Sequence, residues 1–329
     1  MPDVDIDPEY REFIAEQARE EGGIPPRHSL STAGARGLIE ADMAGDEDEP
    51  LPVDQTRDLS VPGPEGGIPV RLYWPEGEGP HPVLVWIHGG GWVRGTLDTA
   101  GGMARAFARR ADCMVVSVDY RQAPEHPFPA AFEDSYAVVE WAHDHVGRLG
   151  GDPDRIAVGG HSAGGNLSAA VSLAARDRGD DLGLVAQLLL SPVMDFDFTT
   201  DSYRRFDLDF WTEVCPEGAG GYPLSREDMA WYRERYLARG VDACHPYAAP
   251  LQARSVAGVP PALVATSDLD PLRDEGAAYA DRLRESGVPV DHRNYPAVFH
   301  SYLAKFDELD GADEDLDAVA AYLREAFDD

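Results

Sequence analysis

Ile156-Ala157-Val158-Gly159-Gly160-His161-Ser162-Ala163-Gly164 is the stretch on which the reading of this chain turns. An apolar run enters a Gly-x-Ser-x-Gly motif, and a series of small residues with helical character leaves it. That is the strand–turn–helix setting of a nucleophile elbow, where a tight turn strains the serine and lifts its Oγ above the end of a sheet. Glycines flank the serine because the turn leaves no room for side chains. Ser162 is therefore the candidate nucleophile. A free hydroxyl is a weak one, so it needs a base within hydrogen-bond reach and a third group to orient that base.

Outward from the elbow, apolar runs alternate with helical patterns. Strands are expected at Val70–Trp74, Pro82–His88, Met114–Val118, Leu184–Leu190, Pro261–Ala265 and Val288–Tyr295. Helices are expected at Met103–Arg110, Ala131–Val146, Ala163–Ala175 and, through Leu316, Val319, Ala320, Leu323 and Phe327, at the C-terminus. Pro271 at the first helical position and Gly287 past the end bracket one more helix. The run Pro82–His88 is nearly all apolar, as befits a strand covered on both faces. This order predicts an α/β fold, a mostly parallel central sheet with helices on both faces, with regular order starting near Asp54. Residues 1–50 are polar with two weak helical patterns, one through Ile14, Ala18 and Glu21 and one from Ala33 to Met43. Gly45–Pro50 reads as a solvated linker. From Asp195 to Cys244 the alternation breaks. A Gly/Pro-rich patch at Pro216–Pro223 and a helical stretch around Met229–Leu237 mark an insertion there, and its aromatics serve as a satellite core, a pocket wall, or both.

In this fold the partners follow the nucleophile in the order acid, then histidine. Downstream of Ser162 lie His245, His292 and His300. His245 falls in the insertion and His292 mid-strand. His300 follows the last strand in the loop Ala297-Val298-Phe299-His300-Ser301, at the end where parallel sheets build their sites, and is the candidate base. Asp268, Asp270 and Asp274 are candidate acids, and Asp270, just before Pro271, equally suits a helix cap. Upstream stands His88-Gly89-Gly90-Gly91-Trp92. Consecutive glycines after a buried strand can aim backbone N–H groups inward, so Gly89, Gly90 and Gly91, with the N–H of Ala163, are candidate donors to an oxyanion. His88 reads as a histidine bonding its own loop, and His161 as a neighbour of the site rather than its base.

Net charge is −32, from 60 acidic against 28 basic residues, and Lys305 is the sole lysine. Carboxylates bind water and salt cations tightly, whereas lysine exposes a long apolar stem. Such a surface suits molar salt, and it repels itself in dilute buffer as the Debye length grows from ~3 Å at 1 M to ~10 Å at 0.1 M. A halophile's protein is the expectation. Nucleic acid is excluded as a partner, because binding it requires basic residues on phosphates. The acidic surface also favours neutral over anionic small-molecule esters. Met1–Asp5 has neither the basic nor the apolar region of a signal peptide, and no apolar run approaches the ~20 residues of a membrane span. A cytoplasmic location and no membrane partner follow as expectations. Cys113, Cys215 and Cys244 form no metal-ligand pattern. No metal and no cofactor are expected, and the oligomeric state stays open, a homodimer included.

Together these motifs resemble the hormone-sensitive-lipase family of α/β-hydrolases, microbial carboxylesterases that carry His-Gly-Gly-Gly before the nucleophile. The likeness runs from about Val70 to the C-terminus. It includes His88–Trp92, Asp119-Tyr120-Arg121-Gln122-Ala123-Pro124-Glu125-His126-Pro127-Phe128-Pro129-Ala130-Ala131, Gly160–Gly165 and Asp270-Pro271-Leu272-Arg273-Asp274-Glu275-Gly276. The resemblance implies Ser162 as nucleophile, Asp270 as acid and His300 as base. It implies an α/β-hydrolase core in two parts, 51–194 and 245–329, under a helical cap built from 1–50 and 195–244. The chain departs from the family at His161, where Asp is frequent, at Ser301, where Gly is usual, and in a longer 206–224 stretch. The function implied is a serine carboxylesterase for short- to medium-chain acyl esters. An amide-cleaving hydrolase, such as an arylformamidase or acyl-peptidase, is the enzymatic alternative, and a ligand receptor on the same fold is the non-enzymatic one.

Overall fold

Val83, Val85 and Ile87 point to one side of the sheet while Leu84 and Trp86 point to the other, and all five are buried. Alternation within a continuous apolar run is what two covered faces demand. In the computed structural model, which describes residues 6–13, 27–43, 50–214 and 223–328, this run is strand β3 (His81–Ile87). The sheet comprises β1 (Gln55–Gly63), β2 (Gly66–Trp74), β3, β4 (Met114–Val118), β5 (Gly151–His161), β6 (Leu184–Leu190), β7 (Ala262–Leu269) and β8 (Val290–Phe299), in the order β1-β2-β4-β3-β5-β6-β7-β8. From β4 to β8 every pairing is parallel, and β1 and β2 join antiparallel.

Helices cover both faces. Helix α1 is Thr32–Met43, α2 Gly101–Arg110, α3 Ala130–His145, α4 Ala163–Arg178, α5 Asp201–Arg205, α6 Leu208–Val214, α7 Arg226–Tyr236, α8 Arg273–Glu285 and α9 Asp310–Asp328. On one face Val85, Val116 and Val158 pack against Phe132 and Val139 of α3 and Leu167 and Val171 of α4. On the other, Leu84, Val115 and Leu188 pack against Phe107 of α2 and Leu316, Val319 and Leu323 of α9. Tyr279 and Leu283 of α8 close a third cluster with Leu189 and Val264.

Three differences from the sequence reading stand out. Strand β1 was not expected. It runs along the sheet edge with most of its residues exposed, so it has little apolar pattern to betray it. Pro271 is not the first residue of α8. The helix starts at Arg273 behind Leu272, because the Asp270 side chain holds the Leu272 N–H at 2.9 Å and makes a separate turn first. Several strands run past their apolar stretches, β8 reaching Phe299. Gly287 does sit just past the end of α8 with φ +78°. The pattern through Ile14, Ala18 and Glu21, residues 45–49 of the acidic stretch, Cys215 and residues 216–222 of the Gly/Pro patch lie outside the described residues. Between Asp195 and Cys244 the described residues hold α5, α6 and α7 and no strand.

Candidate active site

Strand β5 ends at His161, and Ser162 follows with φ +56° and ψ −115°. That conformation is sparsely populated for a residue with a Cβ and costs on the order of 1–3 kcal/mol. Packing on both sides enforces it. A Cβ on Gly164 would lie 1.8 Å from the Ile87 carbonyl oxygen, and one on Gly160 would lie 2.4 Å from the Gly164 carbonyl carbon. The Ser162 N–H donates to Leu190 O at 2.8 Å, which ties the turn to β6.

The acid and the histidine leave the sheet side by side. Leu269 of β7 pairs with Phe299 of β8, and the next residue on each strand is Asp270 and His300. His300 Nδ1 lies 2.8 Å from Asp270 Oδ2, and His300 Nε2 lies 3.1 Å from Ser162 Oγ. The carboxylate can only accept, so Nδ1 carries the proton and Nε2 is left to accept from the serine hydroxyl. Asp270 is fully buried, and its second oxygen accepts the Leu272 N–H. It therefore caps the turn and holds the histidine at once.

The other candidates are engaged elsewhere. Asp268 accepts from Asn294 Nδ2 at 2.5 Å and from the Ala297 N–H at 3.3 Å, bracing the loop that carries His300. Asp274 accepts the Ser202 N–H at 2.8 Å. His292 Nε2 meets Thr266 Oγ1 at 3.0 Å within the sheet, and His245 Nδ1 accepts the Tyr247 N–H.

The glycine run curls over the elbow. Gly90 and Gly91 have φ of +112° and +62°, and Gly90 O accepts from the Val93 and Arg94 N–H groups, both at 3.2 Å. A Cβ on Gly89 would sit 2.8 Å from His161 Nδ1 and 3.5 Å from Ser162 Cβ. The N–H groups of Gly89, Gly90, Gly91 and Ala163 donate to no backbone carbonyl among the described residues. Ala163 opens α4, whose N-terminal end favours negative charge.

Two histidines beside the site are held neutral. Burial pushes the His88 imidazole down to about 4. Its Nδ1 lies 2.7 Å from Gly89 O, its ring stacks on Tyr120 at 4.3 Å, and the Tyr120 hydroxyl donates to its carbonyl. His161 is pushed well below its ordinary value, first by burial and then by His300, whose ring lies 5.0 Å away. Glu275, unremarked in sequence beyond its motif, is buried. It accepts the Met194 N–H at 2.8 Å and so ties the acid loop to the loop after β6.

A cavity of about 200 Å³ opens on these groups. Ser162, His300 and Gly89–Gly91 form one wall. Tyr10, Leu38 and Ile39 approach from the first fifty residues, and Leu224, Met229 and Tyr232 from the 195–244 segment. Phe206 and Trp211 stay in the core, Trp211 edge-on to Phe299 at 4.9 Å. Arg27, Arg94 and Lys305 also line the cavity. Sequence reasoning noted Lys305 only as the sole lysine and passed over Arg27 and Arg94, since isolated basic residues resemble ordinary surface.

A family profile described as alpha/beta hydrolase fold matches residues 84–304. The chain is 44% identical over 302 residues to the carboxylic ester hydrolase LipN of Mycobacterium tuberculosis, covering 89% of this chain and 76% of that protein. Among solved structures, a hyperthermophilic esterase from the archaeon Pyrobaculum calidifontis superposes with a TM-score of 0.88 at 34% identity, covering 97% of this chain and 98% of that one. An ester hydrolase from the metagenome of Lake Arreo gives the same TM-score and identity over 98% of this chain and 100% of that one.

Proposed function

We infer that the chain is a serine carboxylesterase, and the premise is family: it belongs to the α/β-hydrolase-fold family, whose profile spans residues 84–304. Relatives such as the Mycobacterium carboxylic ester hydrolase support the same activity, and they give no support to an amide-cleaving enzyme or a ligand receptor. The motifs His88–Trp92 and Gly160–Gly165 favour the hormone-sensitive-lipase type within it.

The observation that carries the reading is one imidazole touching both a serine hydroxyl and a buried carboxylate. Ser162 Oγ attacks the ester carbonyl carbon as His300 Nε2 takes its proton. The carbonyl electron pair moves onto oxygen, where the N–H groups of the glycine run and of Ala163 receive it. Each such donor is worth roughly 3–4 kcal/mol of barrier. Collapse of the intermediate breaks the bond to the alcohol oxygen, which departs with the proton from His300. Water then gives a proton to His300 and attacks the acyl-serine. The carboxylic acid leaves, and Ser162 regains its proton. Asp270 keeps the proton of His300 on Nδ1 and stabilises the imidazolium.

The cavity size suits short- to medium-chain acyl groups, and the segments 1–50 and 195–244 act as its cap over a core made of 51–194 and 245–329. The net charge of −32 and the single lysine favour a protein of a salt-rich cytoplasm. No helix among the described residues is long and apolar enough to cross a membrane. The decisive experiment is labelling by a fluorophosphonate, with turnover of 4-nitrophenyl butyrate, in molar KCl. Modification at Ser162 and loss of turnover in Ser162→Ala are expected. An unlabelled, inactive but folded protein overturns the reading. Thermal melts in dilute buffer and in molar KCl test the salt requirement, with the lower Tm expected in dilute buffer.

A further inference from the structure

The charged side chains that line the cavity are mostly basic, although the protein is strongly acidic. Over the whole chain acidic residues outnumber basic ones 60 to 28. Around the cavity the charged side chains are Arg27, Arg94, Lys305 and Asp307, three basic against one acidic, and the chain's sole lysine is among them. Two of these cations have carboxylates at hand. Arg27 Nη1 lies 3.6 Å from Asp228 Oδ2, and Lys305 Nζ lies 2.8 Å from Glu308.

Arg94 differs from both. No carboxylate forms an ion pair with it among the described residues, and its buried Nε has no hydrogen-bond partner. A guanidinium cannot shed its proton. The side chain is partly buried, and a charge with little access to water and no carboxylate in contact is stabilised by a partner. Burial lowers its pKa, the Tyr232 hydroxyl is its polar neighbour, Arg27 is close enough to repel it, and the Asp228 carboxylate, already engaged by Arg27, attracts it from beyond contact. Its side chain starts against the glycine run: the Gly90 Cβ position lies 3.1 Å from Arg94 Cγ. The cation is therefore rooted beside the place where the ester carbonyl would sit.

We propose that the preferred esters carry a carboxylate, on the acyl chain or on the alcohol, and that Arg94 receives it. This rests on the carboxylesterase reading and refines its substrate class. It reverses the expectation drawn from net charge, because outer-surface repulsion is screened in molar salt whereas a direct contact inside a partly enclosed cavity is screened less.

The test compares mono-4-nitrophenyl adipate with 4-nitrophenyl hexanoate, and 4-carboxyphenyl butyrate with its methyl ester, all in molar KCl. The adipate tether is long enough to limit attack by its own carboxylate. The readout is the kcat/KM ratio of charged to neutral ester, for the unaltered protein, Arg94→Met and Arg94→Lys. Phosphonate titration of Ser162 counts folded sites in each. In at least one pair the ratio falls tenfold or more in Arg94→Met and recovers in part in Arg94→Lys. Ratios within twofold of the unaltered protein in both pairs, with neutral esters still cleaved, overturn the inference and leave the esterase standing. If no ester is cleaved and no phosphonate binds, the carboxylesterase reading falls and this inference falls with it.

Discussion

The carboxyl edge of the sheet and the cover above it reach the same cavity by different means. At the edge, Ser162, Asp270 and His300 each directly follow the last residue of a strand. Backbone ladders set their spacing, and paired residues such as Leu269 and Phe299 deliver their successors together. The cover has no ladder among its described residues. Helix α7 is held by a capping box between Ser225 and Asp228 and by ring packing, Trp92 stacking on Tyr236 at 4.1 Å. Positions set by main-chain hydrogen bonds survive the loss of a side chain. Positions set by side-chain packing move with it. Substitutions at the edge should thus alter chemistry without altering the frame, and those touching the cover should alter both.

The largest effect tests the edge. Ser162→Ala should lower kcat by about 10⁶ and Asp270→Asn by about 10⁴, following the pattern of other serine hydrolases. Melting temperature should barely change for the serine. Asp270 also caps the Leu272 turn, and Asn keeps an oxygen for that bond. If Asp270→Asn unfolds the protein instead, the edge is less independent of its side chains than its ladders suggest.

Gly91 is where edge and cover touch. A Cβ there would meet the Tyr232 ring at 2.2 Å, on a backbone with φ +62°. Gly91→Ala must push α7 away or turn the loop. A kcat loss of about 10²–10³ follows if the loop turns and an oxyanion donor is lost. A changed acyl-chain preference with kcat intact would mean that the cover yields first. Steady-state kinetics over a series of 4-nitrophenyl esters separates the two outcomes.

How much of this could be read beforehand follows the same division. Strands β4 and β6 run just as expected, since both faces are covered and all positions but Ser117 and Gln187 are apolar. The convergence of Ser162, Asp270 and His300 was legible in the order of their motifs and their places after strands. Strand β1 was not legible, because an exposed edge strand places no demand on most of its residues. Glu275 was hidden among the charges of Arg273–Glu285, where periodicity suggests a solvated face, yet it is buried. Arg94 was hidden differently, as a single charge in the loop after β3, where no periodicity applies. Sequence pattern reports average burial, and one charged side chain turned inward leaves the average unchanged.

His88 supplies a pH test of the edge. Its pKa is about 4 in the folded protein against 6.5 ordinarily. Between those values the unfolded chain binds the extra proton, so stability is complete above pH 6.5 and falls as pH drops toward 4. The loss reaches about 3 kcal/mol. Urea melts from pH 7 to pH 4 should show this slope, and His88→Asn should flatten it. His161, also held neutral by burial, leaves a residual slope of the same sign. An identical slope in His88→Asn would show that His88 is not what acid attacks.

Ser301 gives the smallest effect and the finest division between the two regions. It sits at φ +70° and ψ +13°, directly after His300, and also lines the cavity. A left-handed conformation costs a residue with a Cβ roughly 1–2 kcal/mol, and glycine escapes it at the cost of greater freedom in the unfolded chain. If Ser301 serves only to bend the loop that returns His300 toward β5, Ser301→Gly should raise stability by up to about 1 kcal/mol. Its kcat/KM should then stay within a fewfold, with the same chain-length profile. If its hydroxyl instead faces the substrate, as a cover residue does, the profile should change while Tm holds. Melting curves beside an ester-length series decide which region owns the residue, because loop strain is felt in the Tm and substrate contact in the profile.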